Sequence, residues 1–204
     1  MNENRKSLIF GVGINDSDDK IYNKVDGKNI ICLFYSRWRG MLERCYSLKL
    51  KIKHPTYDYC ECVPEWIYFS NFKAWMEKQD WENKQLDKDI LFPGNKIYGP
   101  ETCVFIDQKV NKFVTDRKLG RGEWPIGVHF HKPLKLFLAQ CNSVETGKRI
   151  YLGCYDTPEE AHLAWLSFKL EQAHILAAEQ KDPRVAQALI SRYENYTQNE
   201  EIIF

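Results

Sequence analysis

Residues 85–91, QLDKDIL, set two carboxylates two positions apart with a lysine between them. Strand alternation would put Asp87 and Asp89 on one face and Lys88 on the other. Two carboxylates on one face suit a hard divalent cation, or the uptake of a proton from water by one of them. Lys88, flanked by negative charge, should keep its proton and is a poor general base at neutral pH. No histidine occurs between His54 and His129, so the segment has no imidazole of its own. The bland alternative is a hairpin face whose acids are simply solvated.

A second group of polar side chains lies further along. GVHFHK, LKLFLAQCN and RIYLGCYD read as three short strands split by turn residues. Alternation pairs His129 with His131 on one strand, Gln140 with Asn142 on the next and Arg149 with Tyr151 on the third, and Lys135 follows the first turn. A metal site from His129 and His131 lacks a third ligand nearby in sequence.

The elements that must position these residues follow from periodicity. Apolar and aromatic residues recur at helical spacing from Ile31 to Leu48, and again from Pro64 or Glu65 to about Lys78. In the second stretch Trp66, Phe69, Phe72 and Trp75 form a stripe that is expected to be core. Residues 1–28 read as an irregular lead-in, and 49–64, with two prolines, as a loop or short extended segment. Between 85 and 114 the order is strand, long turn marked by FPGNKIYGP, strand ETCVFID, then helix QKVNKFV. After the Gly-containing joint LGRGEWP and the three short strands, Thr157 caps a long amphipathic helix that Asp182-Pro183 ends. A short helix from Arg184 to about Tyr193 precedes a polar tail.

Composition sets limits. The chain has 204 residues, net charge +1 and 28% charged residues, so any contact with a polyanion must use locally concentrated bases. Lys109, Lys112, Arg117, Lys118 and Arg121 face only Asp116 and form such a concentration, with a solvated linker as the alternative. MNENRKSLIF carries neither a long apolar run nor a cleavage signature, and no stretch reaches the length of a membrane span. The seven cysteines are an odd number and are expected to be reduced thiols in a cytoplasmic protein.

PIGVHFHK, the strand ending FLAQC and then RIYLGCYDTPEEAHLAW together resemble the AP2 DNA-binding domain. The matching residues are Gly127, Val128, Ala139, Leu152, Gly153, Tyr155, Thr157, Glu159, Glu160 and Ala161. The resemblance implies a three-stranded sheet backed by one helix, its free face entering the major groove of double-stranded DNA, where base edges are distinguishable. His129, His131, Lys135, Gln140, Asn142, Arg149 and Tyr151 would be the DNA-contacting set. The family typically places more Arg and Trp there than this sequence has.

LDKDILFPGNKIYGPETCVFIDQKVN, with YSRWRGMLERCY and EWIYFSNFKAW upstream, resembles phage-encoded HNH endonucleases, in which an AP2-like module often follows. That resemblance implies a ββα-metal unit binding Mg²⁺ (or Mn²⁺), with Asp87 or Asp89 and Asn111 as metal ligands. The base histidine of the family is absent, and Lys88 stands in its place. Either Asp89 takes the proton, or metal-bound hydroxide acts with little help, or the site is degenerate. Cys45, Cys60, Cys62 and Cys103 could hold zinc as in some HNH domains, although the Cys-x-Cys spacing is tight and buried thiols are the commoner use.

The expectation is therefore an α+β protein: an irregular segment over 1–30, an HNH-like domain over 31–118 and an AP2-like domain with a C-terminal helix over 119–204. Its leading reading is a homing-type DNA endonuclease with Asp87, Lys88, Asp89 and Asn111 at the catalytic centre, working in the cytoplasm of a host cell if phage-encoded. The alternative is a catalytically inactive AP2-type protein that occludes a DNA site such as an origin or promoter. A third is an adaptor that holds a protein partner on the aromatic surface from Tyr57 to Trp66.

Overall fold

The computed structural model describes residues 8–115 and 123–200, and among them six α-helices and four small sheets make an α+β protein. The chain divides into two units, residues 1–107 and 108–204. The basic residues Arg117, Lys118 and Arg121 lie outside the described residues.

The first unit opens with a hairpin, β1 (Tyr22–Val25) and β2 (Lys28–Ile31), where an irregular lead-in was expected. Asp26 and Gly27 at its tip have φ of 51° and 77°, the positive pair that a two-residue hairpin turn requires. Helix α1 (Leu33–Tyr46) buries Trp38, Met41, Leu42 and Cys45 as its periodicity predicted, with Tyr35 in place of Leu33, which is exposed. A short helix, α2 (Leu48–Lys53), replaces the expected loop, and the Ser47 hydroxyl caps it by accepting the Leu50 N–H. Strand β3 (Glu61–Cys62) and a single 3₁₀ turn over Pro64–Ile67 lead to α3 (Phe69–Met76). The helix predicted from residue 64 is thus split, because Tyr68 is extended (φ −88°, ψ 127°).

The aromatic stripe is core as expected: Trp66, Phe69 and Phe72 are buried, and Trp75 stacks on Phe105 with ring centroids 5.7 Å apart. Trp38 meets Phe69 and donates its indole N–H to the Trp66 carbonyl at 2.8 Å. Strand β4 (Gln85–Asp87) pairs antiparallel with β6 (Val104–Ile106). The chain between them carries β5 (Ile97–Tyr98), parallel to β3.

The second unit begins with α4 (Gln108–Val114), so the helix assigned by sequence to the HNH-like domain clusters with the C-terminal residues. The Phe113 carbonyl accepts hydrogen bonds from Lys169 and Tyr193 at 3.0 and 3.3 Å, and the Phe113 ring meets Tyr193 edge-on at 5.4 Å. Strands β7 (Val128–His131), β8 (Leu136–Asn142) and β9 (Arg149–Tyr155) form an antiparallel sheet in that order. Helix α5 (Pro158–Ala178) packs on all three strands, and α6 (Pro183–Glu200), longer than the sequence suggested, packs on α5. Thr157 makes the predicted cap within a full capping box, since it accepts the Glu160 N–H while the Glu160 carboxylate accepts its own.

Helix and sheet meet closely at Gly127. Its φ is +84°, and a Cβ there would lie 2.0 Å from the Trp165 ring, so only glycine fits. Val128, Ala139 and Ala161 are the buried residues of this small core. Gln172, buried on α5, accepts the Val144 N–H at 2.7 Å and ties down the β8–β9 turn. Among the described residues, no helix is long and apolar enough to cross a membrane.

Candidate functional site

The sheet in the second unit offers one covered and one open face. Directly opposite residues of an antiparallel pair share a face, and here Gln140 faces Tyr151 while Asn142 faces Arg149. Strand β7 adds His129 opposite Leu138 and His131 opposite Leu136. Six of the seven residues predicted to contact DNA therefore stand on one face of the sheet, and the seventh, Lys135, sits in the β7–β8 turn with φ +55°. Asn142, Arg149, His129 and Lys135 are exposed, and Tyr151 is 61% exposed.

A β-bulge makes that set possible. Ala139 pairs with Gly153 and the next residue, Gln140, pairs with Tyr151, which leaves Leu152 as the extra residue on β9. Leu152 packs against the apolar core while Tyr151 stays outside it. Without the bulge, strict alternation along β9 would put Tyr151 on the covered face with Gly153. Two members of the set also have local partners. His131 accepts the Leu134 N–H on its Nδ1 at 3.3 Å, which braces the turn, and the Tyr151 hydroxyl lies 2.9 Å from the Cys154 sulfur.

The acidic segment does not keep the geometry that alternation suggested. Strand β4 ends at Asp87, because the Asp87 Oδ1 accepts the N–H groups of Asp89 and Ile90 at 3.0 and 2.7 Å and curls the chain into a turn. Asp89 is thus placed by that turn rather than by a strand. Lys88 is buried, only 5% exposed. Its ammonium donates to Asp89 Oδ2 at 3.0 Å and to the Asn95 carbonyl at 2.7 Å, and the Asn95 amide donates back to the Lys88 carbonyl at 2.6 Å. Burial, and then the charge of Asp89, raise the pKa of Asp87.

The carboxylate oxygens here are the donor type that magnesium takes. One oxygen of Asp87 is occupied by two N–H groups, however, and Asp89 is held by the Lys88 ammonium. Asn111, the other expected ligand, lies on α4 in the second unit, whereas Asp87 belongs to the first. Among the described residues, no three His, Cys, Asp or Glu side chains group as metal donors. Asp87 and Asp89 are thus joined in one hydrogen-bonded turn with Lys88, and the Asp89 side chain stays half exposed.

The four cysteines considered for zinc lie in the core. Cys45, Cys60, Cys62 and Cys103 are buried thiols in the core of the first unit. Desolvation holds the Cys45 and Cys62 thiols above their ordinary range and pushes Cys103 up to about 12. Of the aromatic surface from Tyr57 to Trp66, Tyr59 is 86% exposed and Trp66 is in the core.

Sequence reasoning missed one residue of chemical interest, Lys169 on α5. Burial lowers its pKa to about 8, and its ammonium lies 3.4 Å from the centroid of the Phe113 ring. A lysine on an amphipathic helix reads as solvated, and only its packing says otherwise. No protein-family model, curated protein or solved structure matches the chain.

Proposed function

We propose that the protein binds double-stranded DNA through the open face of the β7–β8–β9 sheet and holds the site without cutting it, occluding it to other proteins. The observation that carries this reading is the register that sets Gln140 opposite Tyr151 and Asn142 opposite Arg149 on one face, with α5 covering the other. The AP2 resemblance implies a sheet face that enters a major groove, and amide and guanidinium side chains are the ones that read adenine and guanine edges in pairs of hydrogen bonds. The AP2-like motif order adds to it, since Gly127, Ala139 and Ala161 stand at tight contacts of the sheet with the helix.

The endonuclease reading is the weaker one. It needs an open ligand set and a base, and Lys88 occupies the base position as a buried, ion-paired ammonium. Gel-shift titration of the full chain against duplex fragments tests the proposal. Arg149→Ala should weaken binding to a preferred duplex by about 1–3 kcal/mol if it makes a bidentate base contact. Unchanged binding by both Arg149→Ala and Tyr151→Ala would remove the sheet face as the interface. Nicking of supercoiled plasmid by the wild type with Mg²⁺ or Mn²⁺, abolished in Asp87→Ala, would restore the nuclease.

A further inference from the structure

Beside the open sheet face, the second unit holds an open cleft of about 520 Å³ whose wall is formed by the ends of β8 and β9 and by α4 and α5. Among the described residues, four cations line it, Lys109, Lys112, Arg149 and Lys169, and no Asp or Glu does. In a chain with net charge +1 this is a marked local imbalance. Lys109 is partly neutralised by Glu179 at 2.7 Å, an acid that is not part of the lining. Lys112 is exposed at the mouth.

Lys169 is the inner cation. Its ammonium donates to the Phe113 carbonyl at 3.0 Å and sits over the Phe113 ring, with the Tyr193 and Trp165 rings 5.5 and 5.9 Å away. The charged or ionisable groups acting on it are the Cys141 thiol and a second cation, Arg192. Lys169 is half-buried, and with one donor spent on that carbonyl its ammonium keeps hydrogen-bonding capacity and a full charge to offer an anion. Gln140, Asn142 and Arg149 belong both to the cleft and to the sheet face, so a strand crossing that face passes the mouth of the cleft.

We propose that this cleft is a phosphate-binding site that takes a backbone phosphate of the DNA strand lying across the sheet, with Lys169 at its base and Lys112 at its rim. The inference rests on the DNA-binding reading for the source of the phosphate, but not for the anion chemistry of the cleft. A phosphate contact carries no sequence information. It adds affinity equally for all duplexes and releases counterions on binding.

The test has two arms, both on the full chain. In the first, duplex binding is followed by fluorescence anisotropy at several salt concentrations for wild type, Lys112→Gln, Lys169→Met and Tyr151→Ala. Lys112 is exposed, so its substitution leaves the fold alone, and Lys169→Met keeps the apolar stem. Each lysine variant should weaken binding by a similar factor on every duplex and reduce the slope of log K against log salt by about 0.9, the value for one phosphate. In the second arm, the Lys169 ammonium is titrated by NMR with and without inorganic phosphate, which should raise its pKa. Wild-type slopes in both lysine variants, with binding lost in Tyr151→Ala, would overturn the cleft and leave the sheet reading intact. No duplex binding by the wild type, with a phosphate-dependent Lys169 titration, would keep the anion site and remove DNA as its source. A Lys169 titration indifferent to phosphate, together with unchanged salt slopes, would sink the proposal outright.

Discussion

The Asp87 carboxyl accepts two backbone N–H groups at 3.0 and 2.7 Å while burial and Asp89 make its negative charge unfavourable. Acceptor and charge can be separated by substitution. Asp87→Asn keeps the accepting oxygen, so at pH 7 it should be at least as stable as wild type in chemical denaturation. Asp87→Ala leaves two N–H groups without that acceptor and should lose about 1–3 kcal/mol. The sign of the pH dependence follows from the raised pKa. Below the ordinary aspartate range both folded and unfolded chains hold the proton, and the contribution of Asp87 is then most favourable. It is lost as pH rises through the raised folded value, because the unfolded chain gives up its proton first. The advantage of Asn over Asp should therefore grow between pH 3 and pH 7. A wild type more stable than Asp87→Asn at pH 7 would contradict this account.

At the scale of elements, legibility tracked how local the signal was. The three short strands and α5 were legible because alternation, turn residues and the Thr157 cap all lie within a few residues of what they specify. Thr157→Ala removes one half of the capping box and should cost about 1 kcal/mol, measured as a lower midpoint in urea. Helix α2 was not legible, since LKLKIK buries no residue and so carries no core-facing period. The β1–β2 hairpin had its sign in Asp26-Gly27, but the polar residues around it concealed the strands. Strand β4 was drawn too long, because alternation in QLDKDIL outweighed the tendency of Asp87 to fold the chain back on its own carboxylate. The bulge at Leu152 was invisible, yet within each strand the paired residues were right, and cross-strand register brought the pairs together. Lys169 depends on Phe113, 56 residues away, and nothing local could announce it.

At the scale of the whole molecule, the boundary between the two units falls at residue 107/108, whereas sequence put a domain boundary at 118/119. Helix α4 is bonded into the second unit through Lys169, Tyr193 and Arg192, which donate to the carbonyls of Phe113 and Val114. A fragment spanning 108–204 should thus melt at a higher temperature than one spanning 120–204, which loses those acceptors and the buried Phe113 ring. Equal melting temperatures would show that α4 adds nothing to this unit. In the proposed reading, one open sheet face is what binds DNA in a nearly neutral protein. The most direct measurement is a duplex titration of the full chain at low and at near-physiological salt, with Arg149→Ala and Tyr151→Ala alongside. Binding at low salt should weaken steeply as salt rises, and both variants should bind more weakly at either condition. Absence of duplex binding by the wild type at low salt, or wild-type affinity in both variants, would contradict that reading.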